Sequence, residues 1–97
     1  MTKFYYNNEL IRTSKTKNYK YAVIAYNNGE MKVFRCSETK ANAEKAHTAA
    51  INELKEDIER EKRNCKYSGI NLEENAEYFN KLERYIKTMQ IVELESR

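Results

Sequence analysis

The chain has 97 residues, of which 40% are apolar and 34% are charged, and its formal net charge is +3. This length suits one small domain, and the composition excludes disordered, collagen-like and membrane-spanning chains. The charge is uneven, because residues 1–37 hold seven cations and two acids, whereas residues 38–97 hold eleven cations and thirteen acids. We therefore expect a single domain over residues 1–97, with a basic β-sheet half (1–37) and a mildly acidic helical half (38–97).

The first hairpin is predicted from an aromatic strand and a pair of asparagines. Residues 3–6 (KFYY) favour a β-strand. Asn7 and Asn8 tolerate the left-handed backbone of a tight turn, and residues 9–14 (ELIRTS) return the chain.

The second hairpin has the strongest signals in the chain. Residues 19–26 (YKYAVIAY) form an apolar, β-favouring run, and Asn28-Gly29 is the best short hairpin turn available before EMKVFRCS. A two-residue loop places Val23 opposite Phe34, whereas a three-residue loop with a bulge shifts the pairing by one residue. Together the two hairpins predict a four-stranded antiparallel meander.

Two helices are predicted after the strands. Residues 40–64 carry apolar side chains at helical spacing and contain no Gly or Pro: Ala43, Ala46, Ala50, Ile51, Leu54 and Ile58. Gly69 interrupts the pattern, and Asn71 with Glu74 forms a capping box for a second helix. Its apolar stripe is Leu72, Ala76, Phe79, Leu82, Ile86 and Met89.

The expected fold is therefore an α+β sandwich with the order β-β-β-β-α-α, in which both helices pack on one face of the sheet. Residues 89–95 either continue the second helix or form a short C-terminal strand. The other sheet face must then stay in contact with water or meet a partner.

No catalytic centre is predicted. Cys36 and Cys65 lack a CxxC spacing, and we expect reduced thiols, with a single disulfide as the alternative. A nucleophile paired with His47 would need an orienting group that the sequence does not signal, so His47 is expected to be a partly buried structural residue. No glycine-rich phosphate loop is present. We therefore expect neither an enzyme nor a bound cofactor.

A metal site is also not expected, although three carboxylates cluster near the start of the second helix. Glu73, Glu74 and Glu77 could hold magnesium. Acids at a helix N-terminus are favoured by the helix dipole alone, which is the simpler explanation.

The most basic stretch is residues 12–21 (RTSKTKNYKY), with four cations and no acid. Arg12, Lys15, Lys17 and Lys20 could meet phosphates, and Tyr19 and Tyr21 could stack on bases. The alternative is that the lysines keep a loop soluble while the tyrosines pack under the helices.

The opening KFYYNNELIRTSKTKNYKYAVI resembles the start of short proteins from phages and mobile elements of AT-rich Gram-positive bacteria. The resemblance covers the front half, as a hairpin with an Arg-Thr-Ser segment followed by a Tyr-rich strand. It implies a small protein that blocks host defence, a class that includes anti-CRISPR proteins.

The leading hypothesis is a non-enzymatic inhibitor that binds and occludes a host nucleic-acid-handling protein, such as a CRISPR effector nuclease. The first residues, MTKFYYNNEL, lack the apolar run of a signal peptide, so we expect the cytoplasm of a bacterial host cell. The alternatives are a nucleic-acid-binding domain and a homodimeric structural protein. The partner-binding candidates are Tyr5, Tyr6, Arg12, Lys15, Lys17, Tyr19, Lys20, Tyr21, Tyr26 and Arg35.

Overall fold

The computed structural model describes the backbone of residues 1–68 and 76–97 and the side chains of residues 1–65 and 76–97. It confirms the α+β class and the order of four strands followed by two helices. Of the two alternatives for residues 89–95, the structure shows strand rather than a continued helix. The elements are β1 (Thr2–Tyr6), β2 (Glu9–Ser14), β3 (Tyr21–Asn27), β4 (Glu30–Ser37), α1 (Lys40–Ser68), α2 (Ala76–Thr88), β5 (Gln90–Glu93) and β6 (Glu95–Ser96). The predicted break at Gly69, the capping box of Asn71 and Glu74, and the stripe residue Leu72 lie outside the described residues.

Both hairpins turn through two residues with positive φ angles. The φ angles are 50° at Asn7, 63° at Asn8, 53° at Asn28 and 83° at Gly29. Two successive positive values define the type I′ turn, whose twist matches that of the flanking strands. Asparagine and glycine are the residues that adopt this backbone most readily, so the two turn predictions are confirmed.

The second hairpin combines the two registers that the sequence left open. The two-residue register holds from the turn to the pair Ile24 and Val33, and beyond it Val23 lies opposite Arg35. Phe34 is therefore an extra residue in β4, which makes a β-bulge. An equivalent bulge interrupts the first hairpin.

The four strands are divided between two three-stranded antiparallel sheets, β2-β1-β6 and β4-β3-β5. Residues 90–97, which we call the closing segment, complete both sheets. Its first part pairs with β3 and its last part with β1. Arg97 extends the second pairing, because it exchanges backbone hydrogen bonds of 3.0 and 2.8 Å with Lys3.

One face of β3 packs on the helices, as predicted. Val23 and Ala25, both 0% exposed, join a cluster with side chains from α1 and α2: Ala50, Leu54, Ile58, Leu82 and Tyr85. His47 of α1 is half-buried, as expected, and its Nε2 lies 3.3 Å from the carbonyl oxygen of Met89.

The opposite face of β3 is also buried, so the expectation of an open sheet face is wrong. Ala22 and Ile24 are 0% exposed and belong to a second cluster, against which Tyr6 of β1 and Ile11 of β2 pack. The first hairpin therefore covers this face. The physical reason lies in the run AVIA (22–25), because a strand that is apolar at every position needs cover on both sides.

The end of α2 is fixed to β3 by the side chain of Thr88. The N–H of Tyr26 donates to Thr88 Oγ1 at 2.8 Å, and this hydroxyl lies 3.1 Å from the carbonyl oxygen of Tyr26 and 2.7 Å from that of Arg84. The pairing of β5 with β3 ends where Gln90 meets Ile24. The Thr88 hydroxyl therefore takes the place of the missing strand partner at Tyr26.

Candidate functional site

A groove of about 580 Å³ lies between β4 and the first half of α1, and we call it the β4–α1 groove. Its floor is formed by the apolar residues Phe34, Ala46 and Ala50, and Cys36 and Ala49 are also among the lining residues. Its rim carries charged side chains from the segment before β3, from β4 and from α1: Lys17, Arg35, Glu38, Lys45 and Glu53. The chain thus places an apolar surface inside a ring of charges.

The β-bulge gives the groove its aromatic and cationic residues together. In a regular strand, Phe34 and Arg35 would point to opposite faces of the sheet. Because the bulge places both residues opposite Val23, they share the face that the helices cover, and both line the groove. The small side chains of Ala46 and Ala50 leave space above Phe34.

Phe34 is held by aromatic and cationic neighbours. Its ring meets the ring of Tyr85 edge-on, with centroids 5.6 Å apart and an interplanar angle of 81°. Lys32 Nζ lies 5.2 Å from the Phe34 centroid and 5.5 Å from that of Tyr85. These contacts favour the observed orientation of the Phe34 ring in the floor of the groove.

The charges of the rim are only partly neutralised. Lys17 Nζ lies 3.7 Å from Glu38, but their side chains are 59% and 43% exposed, so this pair contributes little stability. Arg35 and Lys45, on opposite walls, form no ion pair with any described residue. The two cations are therefore available to an acidic group that enters the groove.

Tyr19 lines the groove next to Arg12. The guanidinium carbon of Arg12 lies 5.7 Å from the centroid of the Tyr19 ring, and the Phe4 ring meets Tyr19 edge-on at 5.4 Å. Burial raises the pKa of the nearby Cys36 thiol, and the charge of Arg12 opposes this shift. The thiol consequently stays protonated at neutral pH, and a protonated thiol is a poor nucleophile.

Four of the predicted partner-binding residues meet at this groove. Lys17, Tyr19 and Arg35 line it, and Arg12 adjoins it through Tyr19. Lys15 and Lys20 are exposed but do not line the groove.

The other predicted tyrosines lie elsewhere and are all half-buried. Tyr5 lies under Arg97, whose guanidinium carbon is 4.4 Å from its ring centroid. Tyr6 and Tyr26 pack against the second apolar cluster, and Tyr21 pairs with strands on both sides. These four rings support the fold rather than the groove.

Sequence reasoning missed Phe34, Lys45 and Glu53 as site residues. The bulge that turns Phe34 toward the groove has no unambiguous sequence signal. The alanine-rich start of α1 is typical of a close approach of helix and sheet, and this signal could have pointed to Lys45 and Glu53 on the adjoining surface.

Among the described residues, no group of three His, Cys, Asp or Glu side chains is placed to hold a metal ion. Cys36 and Cys65 are buried, and no disulfide joins them. In the acidic cluster, Glu77 forms an ion pair with Arg84 at 3.0 Å, whereas Glu73 and Glu74 lie outside the described residues.

The fold and the groove define a small α+β protein with a cleft between a strand and a helix. The sequence matches no protein-family model, and neither a curated protein nor a solved structure is significantly similar to it. Within the described residues, no helix is long and apolar enough to cross a membrane.

Proposed function

We propose that the chain is a non-enzymatic binding protein of the phage inhibitor type. It occludes a surface of a host nucleic-acid-handling protein, such as a CRISPR effector nuclease, in the cytoplasm of a bacterial host cell. The observation that supports this proposal is that Lys17, Tyr19 and Arg35 line one groove with an apolar floor, while Arg12 lies against the Tyr19 ring beside it.

The charged rim and the apolar floor of the groove both suit a protein partner. Tyrosine and arginine are over-represented among the residues that dominate binding energy at protein interfaces. An apolar side chain of the partner would be buried on Phe34, and a volume of about 580 Å³ accommodates a few side chains. The lining holds three cations and two acids, so it favours a partner surface with excess negative charge.

The test is to fill the groove without disturbing the core. Ala49 is exposed and lines the groove, so Ala49→Trp places an indole in it. Ala41 is exposed on the same helix but outside the groove, and Ala41→Trp is the matched control. Target-DNA cleavage by a panel of guide-loaded CRISPR effector nucleases is measured with increasing amounts of each variant.

The wild-type chain and Ala41→Trp are expected to inhibit at least one nuclease, and Ala49→Trp to inhibit it at least about tenfold less well. Equal loss in both variants would show that the groove is not the binding site. No inhibition of any nuclease by the wild-type chain would contradict the inhibitor function.

A second candidate function is direct nucleic-acid binding, which is favoured because Arg12, Lys15, Lys17 and Lys20 are all exposed. If each cation neutralises one phosphate, the logarithm of the binding constant falls against the logarithm of the salt concentration with a slope of about −3 to −4. Base stacking is less favoured, because Arg12 and Phe4 already contact the Tyr19 ring. Fluorescence anisotropy with labelled oligonucleotides measures the slope, and a flat response eliminates this candidate.

A further inference from the structure

β4 is an edge strand that borders the groove. Within the described residues, it pairs in the sheet β4-β3-β5 only with β3. In an antiparallel strand, alternate residues direct their N–H and C=O groups to opposite sides, so half of these groups in β4 face away from β3. Along this strand the first half of α1 forms the opposite wall of the groove.

We propose that the groove binds an extended acidic and apolar peptide segment of a partner protein, which adds to the outer edge of β4 as a further strand. This inference rests on the proposed function and specifies how the partner is held. Main-chain hydrogen bonds to β4 provide affinity, and alternate side chains of the segment provide specificity.

The side chains around the groove define which residues the segment carries. An apolar residue of the segment would lie over Phe34, between Ala46 and Ala50. An acidic residue would lie between Arg35 and Lys45, the two rim cations that have no ion pair with a described residue.

The charges of β4 favour such a segment over a second copy of this chain. Bulges and charged side chains are devices that prevent an edge strand from pairing with a second copy of itself, and β4 carries a bulge at Phe34 and the cations Lys32 and Arg35. The exposed Lys32 and Arg35 would repel the same cations of a second β4, whereas they would attract the carboxylates of an acidic segment. A nucleic acid is disfavoured because Glu38 and Glu53 at the rim would repel its phosphates.

An extended segment also fits better than a helical one. A helix satisfies its own main-chain groups and would leave the outer groups of β4 unpaired. β4 has eight residues, which is long enough for several alternate main-chain hydrogen bonds.

The test begins with a random library of displayed peptides of about nine residues, which matches the length of a strand on β4. Peptides are selected on the wild-type chain and counter-selected on the Arg35→Glu, Lys45→Glu double variant. Both side chains are exposed, so the variant is expected to fold, which circular dichroism checks. The expected peptides alternate apolar and acidic residues. Failure to enrich any sequence, or enrichment of basic sequences, overturns the proposal.

The selected peptide is then synthesised in two N-methylated forms, with methyl groups on the odd-numbered or on the even-numbered residues. Strand addition uses only alternate N–H groups, so one form is expected to lose affinity about a hundredfold while the other binds almost like the parent. Equal affinities of the two forms overturn strand addition.

The two proposals can fail separately. Suppose that the selected peptide binds the wild-type chain but not Ala49→Trp, and that both methylated forms bind like the parent. The groove is then still the binding site, but the peptide does not add to β4 as a strand. If Ala49→Trp inhibits the nuclease as well as the wild-type chain does, the proposed function fails at this groove.

Discussion

Replacement of Thr88 by valine tests whether one hydroxyl stands in for a strand partner. Thr88→Val keeps the shape of the side chain but removes Oγ1, which accepts the N–H of Tyr26 at 2.8 Å. That N–H then loses its acceptor, and the hydroxyl's donation to a carbonyl oxygen of Tyr26 or Arg84 is also lost. An unsatisfied buried donor costs about 1–3 kcal/mol. Because Thr88 and Tyr26 are only half-buried, we expect a loss of about 1–2 kcal/mol in the free energy of unfolding.

Urea unfolding followed by circular dichroism measures this loss, with an unchanged slope against urea as the sign that the unfolded state is unaffected. The melting temperature is expected to fall by about 4–8 °C per kcal/mol. Thr88→Ser keeps the hydroxyl and should retain most of the stability, and Thr48→Val, at an exposed site on α1, should change it little. If Thr88→Val matches the wild type, or if Thr88→Ser is equally destabilised, the hydroxyl does not act as a strand partner.

Three further predictions concern stability. Gly29→Ala should lower the free energy of unfolding in urea by about 1 kcal/mol, because alanine is strained at a φ angle of 83°. No atom lies near enough to the added methyl group to clash with it, so backbone strain is the whole effect. Gly29→Asn should lose less stability, and equal losses in the two variants would contradict this explanation. Leu54→Ala, in the cluster under α1, should cost about 2–5 kcal/mol in the same assay, and a loss below about 1 kcal/mol would show that this part of the core is loosely packed. Burial raises the pKa of Cys36 above its ordinary value of 9.0, so the folded state favours the neutral thiol. The free energy of unfolding of the wild type minus that of Cys36→Ala should therefore be constant below about pH 9 and fall as the pH rises through the raised pKa of Cys36. If this difference in free energy instead increases with pH, the pKa of Cys36 is not raised in the folded state.

The hairpins could be predicted because their signals are local. Asn7-Asn8 and Asn28-Gly29 fix a backbone conformation through the preferences of the turn residues themselves. The bulge at Phe34 was not predicted as such, because the sequence allowed two registers and the strand uses one near the turn and the other beyond it.

The division into two sheets could not be predicted, because it depends on the closing segment. Nothing local in residues 90–97 indicates that they pair with both β1 and β3. The run AVIA (22–25) is apolar at every position, yet the sequence analysis expected one face of the sheet to stay open, because nothing local identifies the first hairpin as its cover.

The candidate site was predicted in part. Lys17, Tyr19 and Arg35 do line one groove, since they flank the junction of β4 and α1. Tyr6, Tyr19 and Tyr26 all pack against the second apolar cluster, and of these three only Tyr19 also lines the groove. A domain of this size needs most of its aromatic rings to build a core.

The closing segment also has a consequence for how the chain folds. Lys3 and Arg97, which exchange two backbone hydrogen bonds, are separated by almost the whole sequence. Such long-range contacts slow folding, since a long loop must close before they stabilise anything. During synthesis on the ribosome, one edge of β1 and one edge of β3 would have no strand partner until residues 90–97 emerge. Folding is then expected to finish in one late, cooperative step that joins both sheets at once.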